Sequence, residues 1–159
     1  MVNLFRPGKA TPRLQRLRNL SLFVNLTPAE LQIIDGLLHE RNYLAGEVIF
    51  DQGDEGQAIY IVASGEVAIC RQGQGDSGRV AKLGPGTFFG ELALLDNSPR
   101  SAQARAETAS QLIVFFRDDF VGLLDTHARI ASKISRELAR HLGARMRDMA
   151  LATGAHQHL

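Results

Sequence analysis

The chain is poor in the groups that anchor several common functional classes. Cys70 is its only cysteine, which excludes an intrachain disulfide and a multi-cysteine metal centre. A chain without disulfides suits a reducing compartment, so a cytoplasmic location is expected. Long apolar runs are missing too: a run such as Leu112 to Phe116 falls far short of a bilayer span. Val2 to Phe5 is too brief for a secretory signal and runs into Arg6 and Pro7. Charge of one sign is also lacking. Its 18 basic and 17 acidic side chains leave a formal net charge of +1, which points neither to nucleic acid nor to a membrane surface. The five histidines, His39, His127, His141, His156 and His158, all lie outside the glycine-rich middle of the chain. Metal-dependent barrel enzymes place a histidine pair and a carboxylate inside the sheet, so a metal site is not expected. No Gly-x-Ser-x-Gly nucleophile motif is present, and an enzyme is not the expected function.

What is present is enough for one globular domain: 159 residues with 45% hydrophobic content. Residues 1–11 are punctuated by Pro7 and Gly8 and read as a flexible N-terminus. Arg6, Lys9, Arg13, Arg16 and Arg18 precede the first acid, Glu30. With Leu14, Leu17 and Leu20 at helical spacing beside them, they form either a solvated helix face or an interaction patch. Thr27-Pro28-Ala29-Glu30 supplies a cap, a first-turn proline and a capping-box acid, and predicts a helix of about three turns over Leu31, Ile34 and Leu38.

Ten of the fifteen glycines fall between Gly46 and Gly90, separating the β-rich runs Glu47–Asp51, Gln57–Ala63, Glu66–Arg71 and Arg79–Leu83. That turn density suits a compact antiparallel barrel or jelly roll, closed by Gln111–Phe116. The period then changes. Asp118 and Asp119 are placed to cap a helix through Phe120 and Leu124. A longer helix carries Ile130, Ile134, Leu138, Leu142, Met146 and Met149. Steps of four drift around the cylinder, so the early part is expected to cover the barrel and the later part to face a second chain.

The chain is organised around Phe88 to Ala106. Ala102, Ala104 and Ala106 share one face of a strand, Ser101, Gln103 and Arg105 the other, and by parity Arg100 joins the alanine face. If that face turns inward, a guanidinium enters a space lined by small apolar groups, which is costly unless an anion meets it. Gly90-Glu91-Leu92-Ala93-Leu94-Leu95 has the composition of a short helix after a glycine, whose free N–H groups also favour an anion. Glu91 can accept hydrogen bonds from a sugar hydroxyl. Each has a plainer reading, Glu91 as a first-turn acid and Arg100 as a surface ion-pair partner. Together they suit a ribose phosphate with one negative charge.

Phe-Gly-Glu-Leu-Ala-Leu-Leu followed by Pro-Arg-Ser-Ala resembles the phosphate-binding cassette of the cyclic nucleotide-binding domain family, which includes catabolite activator proteins, kinase regulatory subunits and gated channels. The resemblance implies an α+β fold, an antiparallel β-roll (jelly-roll barrel) with N-terminal helices and C-terminal hinge and lid helices. The domain would occupy 12–150 and a flexible tail 151–159. It implies that Glu91 holds the ribose 2′-hydroxyl, that Arg100 holds the cyclic phosphate, and that Gly90, Leu92, Ala93, Ser101 and Ala102 supply backbone or hydroxyl contacts. Arg136 or Arg140 of the lid helix would stack on the purine, while Leu83 and Phe89 are either base contacts or ordinary core. Ser101 beside the arginine resembles the cyclic AMP-responsive bacterial members and favours cyclic AMP over cyclic GMP. Residues 150–159 are too few for a helix-turn-helix, so the expected product is a sensor acting on an effector protein in trans, with a homodimer through the last helix as a further expectation. The rival reading is a degenerate assembly module of the same fold that binds no nucleotide.

Overall fold

The most apolar strands of the chain fix its layers. β3 (Ala58–Ser64) and β8 (Ser110–Phe116) pair antiparallel and bury both of their faces. Residues of odd number, Ile59, Ile61, Ile113 and Phe115, pack against helical side chains such as Phe23, Ile34, Phe120 and Ile134. Even-numbered Tyr60, Val62, Leu112 and Val114 turn the other way and meet Val67, Phe89 and Ala104. Side-chain alternation thus divides the core in two, a helical layer outside and a roll interior inside. These relations come from a computed structural model that describes residues 12–72 and 78–153. The expected flexible N-terminus, 1–11, and residues 154–159 of the expected tail lie outside the described residues.

Two four-stranded sheets make the roll. One has the order β1 (His39–Tyr43), β8, β3, β6 (Phe88–Phe89). The other has the order β2 (Val48–Phe50), β7 (Gln103–Ala106), β4 (Val67–Cys70), β5 (Arg79–Leu83). Every pairing is antiparallel. The α+β roll expected from the sequence is therefore what forms, with the predicted strands shifted by a residue or so at their ends. Two strands were not foreseen. β1 is polar and largely exposed, and it exists because its backbone pairs with β8 from His39↔Val114 to Tyr43↔Ser110. β6 is only two residues long, too short for any pattern.

The N-terminal helices are α1 (Pro12–Arg18), which buries Leu14 and Leu17, and α2 (Pro28–Asp35). The capping box of α2 forms as read: Thr27 Oγ1 accepts from the Glu30 N–H at 3.2 Å, and the Thr27 N–H donates to Glu30 Oε1 at 2.9 Å. The helix stops a turn earlier than expected, at Gly36, leaving buried Leu38 to lead into the sheet. After β8 come α4 (Arg117–Thr126) and α5 (Ala128–Thr153). Asp118 and Asp119 are not caps. Phe116 holds the N-cap position without a side-chain bond, and the two acids sit in the first turn of α4, where they favour the helix dipole.

The apolar stripe of α5 divides into a buried part and an exposed part. Ile130, Ile134 and Leu138 are buried in the helical layer, whereas Met146 and Met149 are 70% and 66% exposed. Lys133 Nζ pairs with Glu30 Oε1 at 2.5 Å and Asn25 donates to Glu137 at 2.6 Å, fastening the buried half of α5 to the N-terminal segment. The helix runs to Thr153, three residues past the expected domain end at 150.

Candidate functional site

The site begins with a glycine whose backbone and surroundings disfavour any side chain. Gly90 follows β6 with φ +72°, a left-handed conformation, and a Cβ built there would lie 2.5 Å from Arg100 Nη1. The chain then makes the four-residue helix α3 (Leu92–Leu95) and returns towards β7. The return is clamped by backbone bonds: the Arg100 N–H donates to Asp54 O and the Gly53 N–H to Arg100 O, both at 2.8 Å. This clamp holds Arg100 on the face that Ala102, Ala104 and Ala106 continue, and all four are buried as parity required.

Arg100 is 8% exposed. Its Nη2 donates to Ala58 O at 2.7 Å and its Nη1 to Gly90 O at 3.1 Å, while Nε has no partner. The guanidinium carbon lies 4.1 Å from the centre of the Phe50 ring and 5.6 Å from that of Tyr60. Among the described residues no carboxylate forms an ion pair with it. Burial pulls its pKa below the usual arginine value, against the opposing effects of Tyr60, Asp54 and Glu91, and a guanidinium remains cationic at neutral pH. Burial likewise pushes the Tyr60 hydroxyl up, with Tyr43 adding to it and Arg100 opposing. Neutral carbonyls and aromatic faces orient the cation without neutralising it, so an anion arriving here recovers part of the cost of burying the charge.

Glu91 is the second buried charge, 3% exposed, and its environment is the reverse. It stands at the N-cap position of α3 but makes no side-chain capping bond there. Instead Oε1 accepts a hydrogen bond from Arg145 Nη1 of α5 and lies 3.8 Å from His141 Nε2. The His141 ring sits against Phe88, with centroids 4.3 Å apart.

Between these charges lies a cavity of about 550 Å³. Gly90, Glu91, Leu92, Ala93, Arg100, Ser101 and Ala102 all line it, so the structure brings together the residues expected around the sugar and phosphate. Leu83 and Phe89 line it as well, beside Phe50, Ile69, Val80 and Ala81, which makes an apolar wall facing the charged groups. Phe89 is also core, stacked on Tyr60 at 5.5 Å, so the two readings offered for it are compatible.

Arg136 and Arg140 are not brought to the cavity. Both are exposed, and Arg140 pairs with Glu137 at 2.5 Å. The residues of α5 that do line it are His141, Arg145, Asp148 and Met149. A signal for them was present in the sequence. Each step of four turns a helix about 40° past a full circle, so Leu142 and Met146 drift off the buried face. Alternating steps of three and four from Leu138 to His141, Arg145 and Asp148 stay on it. Gly56 was also missed: a Cβ there would stand 3.1 Å from that of Ala93 and 3.4 Å from Arg100 Cζ. Among the described residues no cluster of three or more His, Cys, Asp or Glu is placed to hold a metal ion. The arrangement is suited to binding: a buried cation, a buried acceptor on another wall, and an apolar surface between them.

The family model for the cyclic nucleotide-binding domain matches residues 40–127, more than half of the chain. The chain belongs to the cyclic nucleotide-binding domain family. The cyclic AMP receptor protein of Thermus thermophilus is 40% identical over 127 residues, which cover 79% of this chain and 59% of that protein. The crystal structure of the Thermus thermophilus catabolite activator protein superposes with a TM-score of 0.73 at 37% identity, covering 86% of this chain and 63% of that one. The regulatory domain of Toxoplasma gondii PKA, solved with cAMP, superposes with a TM-score of 0.62 at 35% identity, over 69% of this chain and 42% of that one. This chain thus spans about three-fifths of the first of these relatives. The stretch from Gly90 to Ala102 lies within the matched residues, and His141, Arg145, Asp148 and Met149 of α5 line the same cavity.

Proposed function

We propose that this domain is a regulatory sensor for a cyclic nucleotide, cyclic AMP before cyclic GMP. One observation carries the reading: the Arg100 guanidinium, in a residue only 8% exposed, has no counter-ion among the described residues and an unpartnered Nε, beside a cavity of about 550 Å³. That volume falls within the usual range for small-molecule sites. In this reading the singly charged cyclic phosphate neutralises Arg100, Glu91 accepts from the ribose 2′-hydroxyl, and the base lies along Leu83 and Phe89. Ser101 beside the arginine favours cyclic AMP, as do a relative named a cyclic AMP receptor protein and another solved with cAMP.

A ligand shifts a conformational equilibrium only if it binds one arrangement better, and α5 is the C-terminal helix that lines the cavity, with α4 packed against it. Signalling would therefore pass through those helices to an effector in trans, and by linkage the effector would change nucleotide affinity by the same factor. The exposed half of α5, with Met146 and Met149, would supply a homodimer seam.

Calorimetric titration with cyclic AMP and cyclic GMP tests the reading. Saturable binding with a raised unfolding midpoint is expected. Absence of heat and of thermal stabilisation by both nucleotides would overturn it in favour of an assembly module.

A further inference from the structure

The contact between α5 and Glu91 has no place in the roles assigned so far. Arg145 and His141, one turn apart, both approach the same oxygen of the carboxylate, Oε1. Among the described residues nothing pairs with Oε2. The acid is inside, its side chain 4% exposed, whereas the Arg145 side chain is 55% exposed and reaches in from the surface. The His141 ring is braced on Phe88, the first residue of β6, so its approach is fixed by packing. A carboxylate anchored by charge-assisted contacts at one oxygen loses rotamer freedom and presents the other in a defined direction.

We infer that Arg145, seconded by His141, is a positioning residue for sugar recognition. It holds Glu91 so that Oε2 meets the ribose 2′-hydroxyl, and selectivity for that hydroxyl depends on α5 lying over the cavity. The inference rests on the cyclic nucleotide reading and assigns to the outer half of α5 a task separate from covering the base. Arg136 and Arg140, pointed elsewhere, have no such task.

The full chain, Arg145→Gln and Arg145→Lys are titrated calorimetrically with cyclic AMP and with 2′-deoxy cyclic AMP. Arg145→Gln is expected to weaken cyclic AMP about tenfold while changing the deoxy ligand little, so that the affinity ratio of the two collapses towards one. Arg145→Lys, which keeps a cation, is expected to restore most of the ratio. Because the arginine is half exposed, the variants should melt like the wild type, which a thermal scan verifies. An unchanged ratio in Arg145→Gln overturns the positioning role. Tighter cyclic AMP binding by that variant also overturns it, since Arg145 would then compete with the sugar. If the wild type binds neither ligand, the nucleotide reading itself fails, an outcome distinct from wild-type binding with an unaltered ratio.

Discussion

The two buried charges of the cavity are held in opposite ways. Arg100 is fixed entirely within the roll, by the carbonyls of Gly90 and Ala58, the faces of Phe50 and Tyr60, and a backbone clamp to Gly53 and Asp54. Glu91, nine residues away, is held by two side chains from α5, an element outside the sheets. Local contacts thus preset the cation, and the acid depends on a helix that must dock. The comparison separates two properties of one pocket: how strongly it holds an anion, and how well it reads the group attached to that anion.

The largest effect should come from removing the preset half. Truncating one partner of a buried charge pair costs about 2–5 kcal/mol, roughly thirty- to several-thousand-fold in affinity. Arg100→Ala should therefore nearly abolish binding of ribose and deoxyribose nucleotides alike while circular dichroism still reports a folded roll. Nanomolar binding by this variant would erase the distinction drawn above.

A smaller and more selective loss is expected on the other side. Glu91→Ala should weaken cyclic AMP by one hydrogen bond to an ionised group, about 1.5–3 kcal/mol, and leave the 2′-deoxy ligand little changed. Equal weakening of both ligands in calorimetry would mean that the acid shapes the pocket and does not read the sugar.

The smallest effect tests whether α5 can be loosened far from the cavity. At Glu30, burial works against ionisation, but the Lys133 ammonium and the Thr27 donors outweigh it and hold the carboxyl below its usual value. A carboxyl held low in the folded state stabilises the fold at pH values above its unfolded pKa, and that contribution disappears as pH falls through the folded value. The gap in melting temperature between wild type and Glu30→Gln should accordingly be widest near neutrality and close on acidification. Nucleotide affinity at neutral pH should barely move. A large change in affinity would show that the anchored half of α5 also governs the pocket.

Most of the roll was legible in the sequence because its signals are local. The alternation from Arg100 to Ala106, the capping box at Thr27 and the glycines between Gly46 and Gly90 each act within a few residues. So does the cassette, whose seven candidate residues all line one cavity. What escaped depends on distant partners. β1 carries no apolar pattern and is a strand only because β8 offers it backbone groups. Asp118 and Asp119 lost the cap to Phe116, since β8 runs directly into α4. Arg145 was passed over for Arg136 and Arg140 because several arginines lie along α5, and the choice among them follows from the rotation of the docked helix, which the spacing from Leu138 to His141 and Arg145 records.

That rotation is set near one end. Ile130, Ile134 and Leu138 are sunk in the helical layer and Lys133 is tied to Glu30, whereas from Leu138 to Thr153 the helix runs on for about 22 Å at the α-helical rise. The arrangement is a cantilever. A tilt of about 10° at its root would carry its tip through about 4 Å, further than any side-chain contact could stretch. An effect no larger than the repacking of one carboxylate at mid-beam would thus be delivered, magnified, at Met146, Met149 and Leu151.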